Sequence, residues 1–186
     1  MKKLVVFASG SGSNFEALAE ACERGELKAT IELLIVDKEE AYAIERAKKY
    51  GIRSLVLLPK MFESKEAYER AILAELETIE PNLIVLAGYM RLIGDTLLSA
   101  YPNQIVNIHP SLLPSFPGKD AIGQAVAHGV KVTGVTVHYV DAGMDTGPII
   151  MQRAVNVVDG DVEATATAIH QVEHELYKEA IQQIMK

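Results

Sequence analysis

The stretch NIHPSLLPSFPG, residues 107–118, follows an apolar run and opens with Asn107 and His109. Two residues apart at a strand end, these side chains project to the same side. An amide donor beside an imidazole is equipment for stabilising an oxyanion and moving a proton, although a lone histidine next to proline is by default structural. A second stretch, VDAGMDTGPI at residues 140–149, is Gly-rich and carries Asp141 and Asp145. Both acids suit turns next to glycine, and either one, if placed beside His109, would orient the ring and favour its charged form; spacing leaves both readings open. The third is GSGSN, residues 10–14. Its glycines permit a tight turn into a helix start, where free N–H groups attract an anion. A dinucleotide fingerprint wants a third glycine where Phe15 stands, and that ring would crowd a pyrophosphate, while Asp37 mimics the motif's ribose-binding acid. A monophosphate cradle fits better, with a plain turn capped by Ser13 or Asn14 as the alternative.

The elements that must position these loops alternate along the chain. Apolar, β-rich runs at 4–8, 30–36, 54–58, 83–87 and 105–108 read as strands covered on both faces. Amphipathic stretches at 14–23, 40–50, 65–79 and 94–100 read as helices. This predicts an α/β fold with a doubly wound, mostly parallel, Rossmann-like sheet and right-handed crossovers. Ligands of such sheets sit outside the carboxyl ends of the strands. From Val132, VTGVTVHYV alternates and IIMQRAVNVV follows a Gly-rich turn, predicting an antiparallel pair near the C-terminus. Gly160 and Asp161 break the pattern before a closing helix over 162–185.

Lys and Arg number 18 against 25 for Asp and Glu, a net charge of −7, which disfavours nucleic acid and anionic membranes as partners. The single Cys22 can form neither an internal disulfide nor a cysteine metal cluster and is expected to be packed, as in a cytoplasmic protein. The opening MKKLVVFASG stops too early for a signal peptide and reads as the first strand, and no run approaches the roughly 20 apolar residues of a membrane span. His138, on an alternating strand that could turn it to the site, reads more simply as a core or surface residue, and His128, His170 and His174 as solvated or capping residues on helices. Only His170 and His174 have a ligand-like spacing, without a third ligand, so no metal site is expected.

Five motifs in order, SGSGSN, LAGYMRL (86–92), NIHPSLLPSFPG, DAGMDTGPI and VEHELY (172–177), resemble the glycinamide ribonucleotide formyltransferase family, from the first strand to about Tyr177. The resemblance implies transfer of a formyl group from 10-formyltetrahydrofolate to the amine of glycinamide ribonucleotide in purine synthesis, by direct attack. It implies that Asn107 and His109 hydrogen-bond the oxyanion, and that Asp145 supports a charged His109 and relays protons through water. Gly12, Ser13 and Asn14 would hold the phosphate, and Glu173 the ribose or glycinamide. Met90, Arg91, Leu92 and Ile93, with residues 141–145 and hence Asp141, would form the pterin slot, which Asn107 also borders. Lys65 stands where the family can carry a folate-contacting Arg, keeping charge but losing the bidentate fork. One domain over 1–186 is implied, its nucleotide-binding part at about 1–100 and its catalytic and folate-binding part at about 101–186. The implied partners are the two small molecules, without metal, and the protein would be a monomer or homodimer. Methionyl-tRNA formyltransferases share the Asn–His–Asp arrangement but add a basic tRNA-binding domain, which an acidic chain ending at Lys186 is expected to lack.

Overall fold

The computed structural model describes all 186 residues. The elements run β1 (Lys2–Ala8), α1 (Ser13–Glu23), β2 (Ala29–Val36), α2 (Ala43–Lys49), β3 (Ser54–Val56), α3 (Lys65–Ile79), β4 (Leu83–Leu86), α4 (Asp95–Ala100), β5 (Ile105–His109), α5 (Ala121–His128), β6 (Val132–Tyr139), β7 (Ile149–Asn156) and α6 (Val162–Ile184). They build one seven-stranded sheet in the order β3-β2-β1-β4-β5-β6-β7. The first five strands are parallel, and β6 and β7 are antiparallel to their neighbours. The expected α/β sheet with antiparallel C-terminal strands and a closing helix is therefore what the chain forms.

Strand alternation distributes the core. Leu4, Val6 and Ala8 of β1 pack with α1, α2 and α6, while Val5 and Phe7 pack with α3 and α4 on the other face. Both faces are thus apolar, which is why the parallel strands read as continuous hydrophobic runs. The same alternation puts Ile105 in the second core and Val106 and Ile108 in the first, so Asn107 and His109 share a face with Ile105.

Several boundaries differ from the sequence expectation. The helix expected over 40–50 begins at Ala43, whose N–H is drawn to the Gly10 carbonyl at 3.1 Å. The strand expected over 54–58 ends at Val56, before a 3₁₀ turn at Pro59–Met61. The helix expected to carry His128 is α5, whose bounds the sequence left open; it is capped by Asp120, whose side chain accepts from the Gly123 N–H. No helix is long and apolar enough to cross a membrane.

The closing helix is pinned by Tyr177. Its fully buried hydroxyl donates to the Leu86 carbonyl at 2.6 Å and lies 3.2 Å from the Val106 carbonyl, spanning β4 and β5. Burial drives its ionisation well above the ordinary tyrosine value, so it stays a donor at all working pH. Tyr177→Phe is expected to cost about 1–3 kcal/mol, because two buried carbonyls lose their shared donor. Urea titration measures this, and an unchanged midpoint would remove the pinning role.

Candidate active site

One cavity of about 600 Å³ collects the loops singled out by their chemistry, a volume suited to small-molecule ligands. It is lined by the loop after β1, by Ala87 to Ile93 after β4, by Asn107 to Pro110 and by much of the loop before β7. It lies beside the β1/β4 boundary, where the strand order reverses, the topological switch point of such sheets.

Gly12, Ser13 and Asn14 line the cavity. No side chain caps α1, contrary to the capping alternative, so its first-turn amides are left for an anion. The loop's carbonyls are occupied elsewhere. Gly10 accepts from Ala43 N, and Ser11 accepts from Arg46 Nε at 2.7 Å. Arg46 also pairs with Glu16 of α1, which draws α2 against the loop. Gly12 has φ +77, and a Cβ there would meet the Ala43 Cβ at 2.6 Å. Glycine is needed here to admit α2, rather than only to keep a side chain away from a ligand.

The dinucleotide reading loses on different grounds from those the sequence suggested. Phe15 is fully buried among the core residues and turns away from the loop it was expected to crowd. Asp37, the apparent ribose-binding acid, is buried and pinned by Arg91 Nε at 3.0 Å, and it does not line the cavity.

At the other side, half-buried Asn107 and buried His109 sit at the end of β5, both on the cavity wall. His109 Nε2 lies 2.9 Å from the Phe116 carbonyl, which can only accept, so that nitrogen carries hydrogen. Its Nδ1 faces Asp145 Oδ2 at 3.5 Å, and the same oxygen accepts from Gly118 N at 2.9 Å. Phe116 (φ 50) and Asp145 (φ 57) both occupy the left-handed region. This costs of order 1–3 kcal/mol for a bulky residue and here aims the groups that hold His109. Asp145, not Asp141, is the acid beside the imidazole. Asp141 is exposed and closes its own turn, accepting from Gly143 N at 3.0 Å and Thr146 Oγ1 at 2.6 Å, which hold its carboxyl below the usual range.

Sequence reasoning missed several participants. His138, read as core or surface, is 2% exposed and also lines the cavity, with Nε2 3.9 Å from Asp145 Oδ1. Asp145 thus lies between two imidazoles. The β5–β6 register sets this up by pairing Asn107 with His138, and alternation alone could not supply it. Thr136 and Gln152 brace the loop after His109. Thr136 Oγ1 donates to Ser111 O at 2.7 Å and accepts from Leu113 N, and Gln152 Nε2 reaches Leu113 O at 3.0 Å. His170, read as solvated or capping, also lines the cavity.

Of the expected folate-side residues, Met90, Arg91, Leu92 and Ile93 line the cavity. Met90, Leu92 and Met144 leave apolar surface exposed there. Lys65 is exposed at the start of α3 and is not part of the wall, whereas Lys38 is. Glu173 is 5% exposed and reaches the wall from α6, where its Oε2 lies 3.4 Å from Asn14 Nδ2. Burial pushes the Cys22 thiol up to about 11, so it is a packing residue and no nucleophile. No group of three or more His, Cys, Asp or Glu side chains is arranged to hold a metal ion.

The family model described as formyl transferase matches residues 2–181. The chain is 54% identical to a phosphoribosylglycinamide formyltransferase of Bacillus subtilis (strain 168), across 100% of this chain and 95% of that protein. It is 39% identical to the Escherichia coli (strain K12) protein of the same name, over 94% of this chain and 82% of the relative. The crystal structure of glycinamide ribonucleotide transformylase 1 from Geobacillus kaustophilus superposes with a TM-score of 0.97 at 57% identity, covering 100% of both chains. With its fold, its cavity and these relatives in agreement, the chain belongs to the formyl transferase family.

Proposed function

We propose that this enzyme transfers a formyl group from 10-formyltetrahydrofolate to the amine of glycinamide ribonucleotide, a step of purine synthesis, in the cytoplasm. The observation that carries the reading is the convergence of Asn107, His109 and Asp145 with an uncapped helix start and Glu173 on one cavity. The amides of Gly12, Ser13 and Asn14 take the phosphate, and Glu173 takes the ribose or glycinamide. Met90 to Ile93, Asn107 and Asp141 border the pterin, and Lys65 meets donor that extends beyond the cavity. The division near residue 100 is functional: residues 1–100 supply the phosphate loop, residues 101–186 supply the catalytic groups, and one sheet joins them.

The amine nitrogen attacks the formyl carbon, the carbonyl oxygen becomes an oxyanion, and the carbon–N10 bond breaks as a proton passes from the amine to N10. The Asn107 amide donates to the oxyanion. His109 contributes once it exchanges the Phe116 carbonyl for substrate, or through the Nδ1 edge beside Asp145. Asp145 holds that edge and accepts the water-borne proton in transit. These groups stabilise charge by hydrogen bonding, and no metal takes part in the scheme.

Purified protein is expected to form formylglycinamide ribonucleotide from the two substrates, and to keep doing so after chelator treatment. Absence of product, or activity restored only by a divalent ion, would overturn the proposal.

A further inference from the structure

A second cavity, of about 360 Å³, lies between the loop that follows His109 and the junction of α5 with β6. Its volume falls in the range of small-molecule sites, and it shares no wall residue with the larger cavity. The walls define a class of ligand. Leu112, Val130 and Val132 are apolar, and Val132 is 48% exposed. The Phe116 and His128 rings meet edge to face with centroids 5.8 Å apart, an arrangement that a further ring extends. No Asp, Glu, Lys or Arg lines the cavity, so a charged ligand would lack a counter-ion. An anion would also meet the carbonyl end of α5, where His128 stands.

The polar demand comes from Thr133, also on the wall. It is 2% exposed, and its Oγ1 is shut off from solvent without a hydrogen-bond partner. A buried hydroxyl left unpaired carries its desolvation cost. One staggered step of χ1 exchanges the positions of a threonine's methyl and hydroxyl groups, so Oγ1 can be presented to a ligand in the cavity.

We propose that this cavity binds a neutral molecule of one or two fused rings bearing an N–H or O–H for the Thr133 hydroxyl, and that its occupation slows catalysis through Phe116. That residue joins the two sites. Its ring lines the second cavity, while its carbonyl lies 2.9 Å from Nε2 of His109 in the first. A ligand packed on the ring holds the carbonyl in place and opposes the exchange of partners by which His109 reaches substrate in the scheme above. Such a ligand favours the held state by its better fit to it. Occupation of the cavity stands apart from the formyl-transfer reading, whereas the effect on kcat rests on it.

The probe is indole, which is neutral, has two fused rings and carries one N–H. Calorimetric titration is expected to give a dissociation constant on the order of 0.1–1 mM, ordinary for a ligand of its size. Thr133→Val keeps the shape and removes the hydroxyl, so indole should bind about three- to tenfold more weakly. Indene, which has indole's shape without the N–H, should bind both proteins alike. Val132→Phe fills the exposed wall and should abolish binding of both probes, with thermal midpoints confirming that each variant is folded. With both substrates saturating, indole should lower kcat about fivefold or more, leave both KM values nearly unchanged, and have no effect on Val132→Phe. Competition between indole and either substrate, equal losses of indole and indene in Thr133→Val, or binding that leaves kcat unchanged would overturn the proposal and leave the formyl-transfer reading intact. Absence of turnover without indole would instead overturn that reading, and the slowing of catalysis with it.

Discussion

Asn107→Ala is expected to lower kcat by about 10²-fold or more, the usual loss for one oxyanion donor, with affinity for the formyl donor nearly unchanged. On the proposed mechanism, Asn107 is the donor that needs no change of partner. His109 begins with Nε2 bound to the Phe116 carbonyl and Nδ1 turned to Asp145, so its contribution follows a change of partner. Asn107 lies half-buried on the cavity wall at the end of β5, its backbone paired with β4 on one side and β6 on the other. A donor fixed in advance acts mainly where charge develops, in the transition state, and so appears in kcat more than in binding. Single-turnover rates with saturating ribonucleotide, together with donor affinity measured by fluorescence, separate the two. Weakened donor binding at normal kcat would make Asn107 a binding residue only.

How much of this was legible depended on the range of the contact. The strands were legible because burial on both faces leaves little room for polar residues, and 4–8, 83–87 and 105–108 are apolar at almost every position. The bounds of the short α5 were not, because AIGQAVAH spans only about two turns and contains glycine. Asn107 and His109 could be picked out because their relation is local, two residues on one strand. The pairing of His109 with Asp145, or of Arg46 with Ser11, joins loops and helices about 35 residues apart in the chain. No short window of sequence contains either relation. Phe15 illustrates the reverse error. It occupies the motif's third-glycine position, but the first turn of α1 carries its ring into the core. Lys65 shows a milder version, since its charge was legible and its distance from the cavity wall was not.

Asp145→Asn is expected to lower kcat by something on the order of 10²–10⁴-fold, the range seen when an acid that orients a catalytic imidazole loses its charge. The folded structure should survive the change. An asparagine oxygen can still accept from Gly118 N, now 2.9 Å from Asp145 Oδ2, and its NH₂ can face His138. His138 is ready for such a donor, because its Nδ1 lies 2.9 Å from the Tyr139 carbonyl while its buried Nε2 has no partner. What is lost is the negative charge between two imidazoles, and with it, on the proposed mechanism, the acceptor for a proton on its way from amine to leaving nitrogen. Asp141→Asn should behave differently. Asp141 is tied to Gly143 and Thr146 within its own turn, both through Oδ1, which asparagine keeps without the charge, so the substitution weakens the turn beside the proposed pterin slot and raises the donor KM modestly with a small effect on kcat. The hydrogen bonds depress the Asp141 ionisation. Their contribution is therefore complete above the ordinary carboxylate value of about 3.9 and fades only as pH falls through the lower folded one, so it adds no pH dependence near neutrality. Measuring kcat, both KM values and thermal midpoints for the two variants decides the assignment. A larger kcat loss in Asp141→Asn than in Asp145→Asn would reverse the roles, and a collapse of the Asp145→Asn midpoint would make its carboxylate a structural tie to Gly118 before anything else.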